Sequence, residues 1–371
     1  MDWRAEGLLQ GREGRAAEAR QALLDRLHEQ GVPLDELRQA AAEDRLAVLP
    51  VERLLTSEAR YSAREIAEQS GLELDFFFAH RRALGLAVPG ADERVYGEKD
   101  LESARMGKQY RQAGLPDDDA MEAQRVLGRG MARYVEAITA LVGQSVLEEG
   151  TDEHELAARL EAVARTLLPL SGPWLEHVFA LHLREALRQE VVTAEQLATG
   201  RLDAGRDCAV AFADLVGFTE LGETIPVEEL GSVAGRLSHL TEEAIEPPVK
   251  IVKEIGDAVM LVSPEPVALV ASALRLVEGS ERREGLPAIR AGIAFGPAVN
   301  RWGDWYGSTV NVASRLTTRA RPSSVLGTEA VREATDDGFE WSFAGEKKLK
   351  GLTAPVKTYR ARRRVNPTKA A

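Results

Sequence analysis

The spacing of apolar residues changes near residue 208, and this change limits what the chain can fold into more than any other feature. Up to about residue 190, apolar residues recur every three or four positions in stretches rich in Asp, Glu and Arg. Such spacing places them on one face of an α-helix. From Cys208 onward, short apolar runs bounded by turn residues alternate with helical patterns. We therefore predict an all-α first half and an α+β second half.

Cap and turn residues predict where several helices of the first half begin and end. Ser62 and Glu65 have the spacing of a capping box, and Gly71 follows as a helix stop. Pro116 introduces a long helical pattern that ends near residue 147. Pro173 predicts the start of the last helix, because proline is favoured in a first turn. We expect about eight to ten helices and no strand in this half.

The second half follows the order strand, helix, two strands, helix, strand. The run CAVAFADLV predicts the first strand, and VKIVKEIGDAVMLVS predicts a hairpin with Gly256 and Asp257 at its turn. This order is that of the ferredoxin-like, split βαβ arrangement. We predict a helical domain over residues 1–190, a polar linker over 191–206, an α+β domain over 207–362 and a tail over 363–371.

Composition and charge argue against several classes of protein. Lys and Arg number 47 against 59 Asp and Glu, a net charge of −12, which disfavours a broad surface for nucleic acid or anionic membranes. A single cysteine, Cys208, allows no intrachain disulfide and disfavours a cysteine-based zinc site. The N-terminus lacks a signal-peptide pattern, and the longest apolar run, Pro266 to Leu274, is far shorter than the roughly 20 residues of a transmembrane helix. We expect a cytoplasmic protein without a transmembrane segment.

Three polar segments of the second half carry the chemistry. In AFADLVGFTELGE, Asp214 ends an apolar strand, and a tight turn and a helix start follow. The carboxylate suits a hard cation, and we expect the free amides of residues 215–219 to face an anion held by that cation. In KEIGDAVM, Lys253 and Asp257 flank a tight turn. Taken alone, the first segment is equally a strand end or a helix cap, and the second is a plain hairpin.

The third segment, GDWYGSTVNVASR, places Asp304 before a helical stretch. Asn311 and Arg315 are four residues apart in that stretch, so both lie on one helix face. Taken alone, this pattern is a solvated polar face.

Together, and in this order, the three segments resemble the catalytic domain of class III nucleotidyl cyclases. That family carries metal-binding aspartates in an FxDxxGFT segment and a KxxGD hairpin, then a purine-contacting residue seven before an Asn, and an Arg four after it. The resemblance covers about residues 205 to 362. The matching residues are Phe212, Asp214, Gly217, Phe218, Thr219, Lys253, Gly256, Asp257, Asp304, Asn311 and Arg315.

The resemblance implies a reaction in which the ribose 3′-hydroxyl of a nucleotide attacks its own α-phosphate and expels pyrophosphate. Asp214 and Asp257 would then hold two divalent cations per site, Mg²⁺ or Mn²⁺, with the backbone carbonyl of Leu215 as a further ligand. By the same resemblance, Arg315 stabilises the transition-state phosphate and Asn311 orients the ribose. The implied substrate-binding residues are Lys253, Asp304, Phe218, Thr219, Arg290 and Lys350.

The base preference follows from donors and acceptors. Adenine accepts at N1 and donates at N6, whereas Lys253 only donates and Asp304 only accepts. The pair therefore matches ATP and mismatches guanine, and guanylyl members of the family typically have an acid in place of Lys253. Two alternatives stay open: a guanylyl cyclase, and a catalytically silent nucleotide-binding module, whose mark would be loss of a metal aspartate. The GG(D/E)EF segment of the related cyclic-dinucleotide enzymes is absent.

Two further residues and the oligomeric state are also implied by the resemblance. Arg290 is similar to a family arginine near the polyphosphate, and Lys350 to a triphosphate lysine, although a structural role for Lys350 is equally compatible with the sequence. In this family the metal aspartates come from one catalytic domain and the purine-reading and Arg residues from its partner. The chain contains both sets, which implies a head-to-tail homodimer.

The first half resembles the helical autoinhibitory domain of bacterial class III adenylyl cyclases, including acid-activated ones. This implies that it regulates, and in particular inhibits, the second half. A helix-turn-helix around Gly71 is the alternative, but its second helix offers only His80, Arg81 and Arg82 as a basic cluster, and the chain is acidic.

Histidines on the last helix before the linker suggest a response to pH. His177 and His182 both lie on it, and His182 falls on the apolar stripe that contains Phe179. Charging a histidine in an apolar seam is costly, so acid would favour a packing in which it is solvated. The alternative is a core histidine with no sensing role.

Overall fold

A computed structural model of the chain describes residues 1–56, 59–189, 205–335 and 338–364. The chain divides into two compact units, Met1–Val191 and Val192–Ala371. The predicted linker lies outside the described residues over 191–204, and the predicted tail lies outside them beyond residue 364. None of the described helices has both the length and the apolar character needed to cross a membrane.

The first unit is all-α, as predicted. In its described part, the only strand-like pairing is one isolated bridge between Tyr61 and Tyr96. Its eight described helices are α1 (Gly14–Glu29), α2 (Leu34–Ala42), α3 (Leu49–Leu55), α4 (Ala63–Ser70), α5 (Leu74–Ala83), α6 (Glu98–Gln112), α7 (Asp117–Val146) and α8 (Glu153–Gln189).

The predicted capping box at the start of α4 is confirmed. The Ser62 hydroxyl accepts a hydrogen bond from the Glu65 amide, and the Glu65 carboxylate accepts one from the Ser62 amide. Gly71 follows in the left-handed conformation at φ 69°, which glycine adopts without strain.

The predicted helix start at Pro173 is wrong. Helix α8 runs without a break from Glu153 to Gln189 and contains both Pro169 and Pro173. An internal proline costs about 3 kcal/mol, but a long helix keeps its remaining hydrogen bonds on both sides. The early turns are also anchored, since Glu153 accepts hydrogen bonds from Arg20 at 2.8 Å.

The second unit is built on an eight-stranded sheet. Seven strands follow the order β2-β3-β1-β4-β6-β8-β7, and β5 pairs with β4. The strands are β1 (Arg206–Leu215), β2 (Lys250–Ile255), β3 (Ala258–Ser263), β4 (Ile289–Arg301), β5 (Asp304–Tyr306), β6 (Ser324–Thr328), β7 (Phe339–Lys347) and β8 (Val356–Arg363).

The first four strands confirm the ferredoxin-like prediction. Strand β1 lies between β3 and β4 and is antiparallel to both, and β2 and β3 form the predicted hairpin. Strand β6 then adds to β4 in parallel, and the β7–β8 hairpin completes the sheet. The helices of this unit are α9 (Phe218–Leu221), α10 (Val227–Ala244), α11 (Pro266–Glu281), α12 (Ser308–Thr317) and α13 (Glu329–Glu333).

Alternation along β1 divides the sheet into two faces. Ala209, Ala211 and Leu215 belong to a core cluster that also includes residues of α10 and α11. Cys208 and Val210 belong to a second cluster that includes Ala313 of α12. Asp214 follows the parity of this second face, because side chains alternate along a strand.

Candidate active site

Asp214 and Asp257 are brought together at one end of the sheet. Asp214 is the penultimate residue of β1 and pairs in register with Ala258 of β3 and Arg290 of β4. Asp257 is in the β2–β3 turn, after Gly256 at φ 63°. The Leu215 amide donates a hydrogen bond to the Asp257 carbonyl at 3.0 Å, which ties the turn to the strand.

Arg290 forms an ion pair with Asp214. Its Nη2 lies 2.6 Å and its Nε 3.0 Å from Asp214 Oδ2. The two side chains are 28% and 17% exposed, respectively. The sequence suggested that Arg290 lies near phosphate, but it did not indicate this pairing with a metal aspartate.

The electrostatics of the aspartate pair suit a divalent cation. Burial raises the pKa of the Asp257 carboxyl, and the charge and hydrogen bonding of Asp214 raise it further, while Arg290 opposes them. Two adjacent carboxylates, one of them disfavoured as an anion, form a donor set that a hard cation would stabilise. The residues present therefore fit the divalent cations that the sequence implies.

The prediction that the amides of residues 215–219 are free to face an anion is wrong for two of them. The Leu215 amide donates to Asp257, and the Val216 amide donates to the Ala288 carbonyl at 2.9 Å. Both amides are therefore already hydrogen-bonded to carbonyl groups of neighbouring segments. Phe218 and Thr219 begin the four-residue helix α9, and first-turn amides have no acceptor within their own helix.

Lys253 and Asp304 form a second pair. Lys253 Nζ lies 2.5 Å from Asp304 Oδ2, although 51 residues separate them. Asp304 Oδ1 accepts a hydrogen bond from the Trp305 amide at 2.8 Å, which fixes the carboxylate. The side chains are 37% and 31% exposed, respectively, so a ligand can reach both.

Asn311 and Arg315 lie on helix α12, as their spacing predicted. The Arg315 guanidinium lies against Gly351, where a Cβ would be 3.4 Å from Nη1. Gly351 is next to Lys350 in the β7–β8 connection. Asn311 and Lys350 are exposed and Arg315 is half-buried.

Within one chain, the described contacts divide the candidate residues into three groups. None of the described hydrogen bonds or ion pairs connects these groups to one another. The groups are Asp214, Asp257 and Arg290; Lys253 and Asp304; and Arg315 with the segment of Lys350 and Gly351.

Two residues at the site escaped the sequence analysis. Trp305 is buried and supplies the amide that holds Asp304. The guanidinium of Arg206, the first residue of β1, lies 5.5 Å from the Trp305 ring centroid. The position of Trp305 directly after Asp304 was visible in the sequence, but its burial was not.

In the first unit, two members of the basic cluster of the helix-turn-helix alternative, His80 and Arg81, contact neighbouring helices, whereas Arg82 is exposed. Arg81 forms an ion pair with Asp100 at 3.4 Å and lies over the Tyr96 ring at 4.9 Å. His80 is half-buried, and burial lowers its pKa. These contacts disfavour a DNA-binding role for the cluster.

The histidines of α8 are exposed. His177 and His182 are both on the surface of the described chain, and so is Phe179 of the same stripe. The alternative of a core histidine at position 182 is therefore wrong for the described chain. The reason is that the apolar stripe itself is uncovered.

Two family models match the chain and together cover almost all of it. The model described as adenylate cyclase regulatory domain matches residues 1–187. The model described as adenylate and guanylate cyclase catalytic domain matches residues 203–362.

Individual relatives match along both units. A pH-sensitive adenylate cyclase of Mycobacterium tuberculosis is 40% identical over 358 residues, which cover 94% of this chain and 89% of that protein. An adenylate cyclase of Streptomyces griseus is 31% identical over 286 residues, 76% of this chain and 70% of that protein. The solved structure of an adenylate/guanylate cyclase/hydrolase from Silicibacter pomeroyi aligns at 27% identity with a TM-score of 0.40, over 42% of this chain and 96% of that one.

Proposed function

This chain belongs to the adenylate and guanylate cyclase family, and on that premise we propose that it converts ATP into 3′,5′-cyclic AMP and pyrophosphate. The single observation that carries the choice of ATP is the ion pair between Lys253 and Asp304. A donor-only and an acceptor-only side chain stand side by side and partly exposed. Two relatives that match along most of the chain are named adenylate cyclases, which supports the same choice.

Adenine recognition uses both members of the pair. The ammonium of Lys253 donates to adenine N1, and the carboxylate of Asp304 accepts from the N6 amino group. Guanine presents a donor at N1 and an acceptor at O6. The donor Lys253 would then face a donor, and the acceptor Asp304 would face an acceptor. Polar groups that a bound base covers without pairing them are costly, and this cost gives the discrimination.

The reaction takes place beside Asp214 and Asp257. These carboxylates, with the backbone carbonyl of Leu215, would hold two Mg²⁺ or Mn²⁺ ions. Bound there, the ions would lower the pKa of the ribose 3′-hydroxyl and take up charge on the triphosphate. The amides of Phe218 and Thr219 face the phosphates from the first turn of α9.

Arginine and lysine side chains hold the remaining charge. Arg315 stabilises the α-phosphate in the transition state, because its planar fork matches two phosphate oxygens. Asn311, one helical turn earlier, orients the ribose. Lys350 stands next to the glycine that touches Arg315, and with Arg290 it binds the triphosphate.

We propose that two chains build each site in a head-to-tail homodimer. The separate groups of site residues within one chain support this arrangement: one chain would supply the metal aspartates, and its partner would supply the Lys253–Asp304 pair and Arg315. Large apolar side chains exposed on α7 and α8 supply a further surface that a second copy would cover. These are Val135, Leu141, Leu170, Trp174, Phe179 and Leu187, each more than half exposed.

The helical unit is proposed to inhibit the catalytic unit in a pH-dependent manner. The match of residues 1–187 to a regulatory domain supports regulation. The similarity to a relative named pH-sensitive supports the choice of signal. The substrate ATP is made inside cells, which supports the predicted cytoplasmic location.

The test is turnover of ATP and GTP by the full chain with Mn²⁺ or Mg²⁺, with the product identified by mass spectrometry. We expect cyclic AMP from ATP and far less product from GTP. Asp257→Ala should abolish turnover while the far-ultraviolet circular dichroism stays the same. Cyclic GMP as the main product would establish the guanylyl alternative. Nucleotide binding with no product under any metal would establish a silent module.

A further inference from the structure

The ion pair between Arg290 and Asp214 has an asymmetric geometry. Nη2 and Nε of Arg290 both donate to Oδ2 of Asp214, at 2.6 and 3.0 Å. Among the described hydrogen bonds, none reaches Oδ1 from Arg290. One oxygen of the carboxylate is therefore occupied by a guanidinium, and the other is left for a different partner.

Asp214 would bind a divalent cation through its carboxylate oxygens. While Arg290 holds Oδ2, Asp214 offers only Oδ1. The guanidinium also places a positive charge in contact with a ligating carboxylate, where it repels a divalent cation. The side chains are 28% and 17% exposed, so water screens this repulsion only in part.

The backbone of Arg290 is fixed. Its neighbours Ile289 and Ala291 are fully buried in the core of the second unit. Strand β4 is paired there with β1 on one side and β6 on the other. Release of Asp214 therefore needs side-chain rotation, and rotation of Arg290 does not move the strand.

We propose that Arg290 is a built-in counter-ion of Asp214 that withholds Oδ2 from divalent cations until a triphosphate draws the guanidinium away. The inference rests on the proposed function, because it takes Asp214 as a metal ligand and a nucleoside triphosphate as substrate. A triphosphate can compete with Asp214 for Arg290, because a guanidinium forms bidentate hydrogen bonds with phosphate oxygens as it does with a carboxylate.

The exchange couples cation and nucleotide binding. When the nucleotide removes Arg290 from Oδ2, the affinity of Asp214 for a cation rises. By linkage, the cation then raises the affinity for the nucleotide by the same factor. The nucleotide-free protein is thereby kept from assembling a complete metal site.

The test measures Mn²⁺ binding to the full-length protein by electron paramagnetic resonance, without nucleotide. Arg290→Gln removes the charge, and we expect it to bind Mn²⁺ at least about fivefold more tightly than the wild type. Arg290→Lys keeps the charge and should stay within about twofold of the wild type. Arg363→Gln breaks another arginine–carboxylate pair, with Glu278 at 2.8 Å, outside the site, and serves as the control for loss of one positive charge.

The same titrations are repeated with 3′-deoxy-ATP, which cannot cyclise. We expect the analogue to strengthen Mn²⁺ binding more in the wild type than in Arg290→Gln, because the variant has no counter-ion to release. Thermal melting verifies that each variant is folded, and Arg290→Lys provides the comparison if Arg290→Gln is not.

The inference is overturned if folded Arg290→Gln binds Mn²⁺ with unchanged or lower affinity. Asp214→Asn and Asp257→Asn separate this failure from failure of the proposed function. If those two variants bind Mn²⁺ as the wild type does, the metal assignment is wrong. If they lose binding while Arg290→Gln does not gain it, only the role of Arg290 is wrong.

Discussion

Gly292 of β4 lets helix α12 lie directly on the sheet: a Cβ at this position would be 2.3 Å from the backbone nitrogen of Thr317. The same atom would be 2.7 Å from the carbonyl oxygen of Ala313. Both neighbours are backbone, so only movement of the whole helix relieves the contact. Because α12 carries Asn311 and Arg315, this close approach sets the position of both.

We therefore expect Gly292→Ala to lower the free energy of unfolding by about 1–3 kcal/mol. It should also reduce turnover of ATP more than it raises KM, because Arg315 acts in the transition state. Chemical denaturation and steady-state kinetics provide the measurements.

Gly231 of α10 offers the matched control. A Cβ there meets no atom within 4 Å, so Gly231→Ala should stabilise the helix by about 0.5–1 kcal/mol. Equal stability changes for the two alanine variants would contradict the packing argument.

Lys253 is the residue where we expect base preference to change most. Lys253→Glu replaces a donor by an acceptor, and this acceptor can pair with the N1 and N2 donors of guanine. We expect kcat/KM for ATP to fall by roughly 100-fold or more, with a rise in the ratio of GTP to ATP turnover. An unchanged ratio in a folded variant would show that the pair with Asp304 does not read the base.

Shared sites predict recovery of activity from two inactive variants. Asp214→Ala and Arg315→Ala should each lack turnover, because every homodimer of either variant has two damaged sites. Mixed dimers contain one intact site, so free exchange should restore up to about one quarter of wild-type activity. Native mass spectrometry verifies exchange. If subunits exchange but activity does not return, Asp214 and Arg315 of one chain contribute to the same site.

The fold of the second unit was largely predictable because its central strands are apolar runs bounded by turn residues. The position of Asp214 at a strand end and of Asp257 in a hairpin turn already indicated that the two lie at one edge. Strand β8, by contrast, has the sequence VKTYRARR, and its charged residues leave no apolar run that would predict a strand. The bond between Arg290 and Asp214 spans 76 residues and depends on strand register, which spacing alone does not give.

The first unit shows a different limit of sequence analysis. Amphipathic spacing identifies which face of a helix is apolar, but not what covers that face. The stripe of α8 around Phe179 is exposed in the described chain. Likewise, Pro173 has a local preference for helix starts, and the hydrogen bonds that a 37-residue helix keeps on both sides override it.

His80 provides the sharpest expectation for the response to acid. Burial lowers its pKa most strongly, a hydrogen bond between His80 and the Gln124 side chain of α7 opposes this, and the charge of Arg81 on the same helix lowers the pKa further. Asp100 of α6 lines the same cleft and is paired with Arg81. Since His80 ionises less readily in the folded than in the unfolded chain, the unfolded chain takes up protons first as pH falls. Stability is therefore lost below the unfolded pKa of about 6.5 and is fully present above it.

We expect the melting temperature of the helical unit to fall as the pH is lowered from about 7.5 to 5.5. The melting temperature of His80→Gln should fall less than that of the wild type over this interval. His239→Gln is the matched control, because the His239 side chain is exposed and lies in the second unit; its melting temperature should fall as much as that of the wild type. Calorimetry of the full-length proteins measures both, alongside ATP turnover over the same range. If His80→Gln and the wild type lose the same stability, the acid response of the helical unit does not pass through His80. A turnover profile that flattens in His182→Ala alone would assign pH regulation to the exposed stripe of α8 instead.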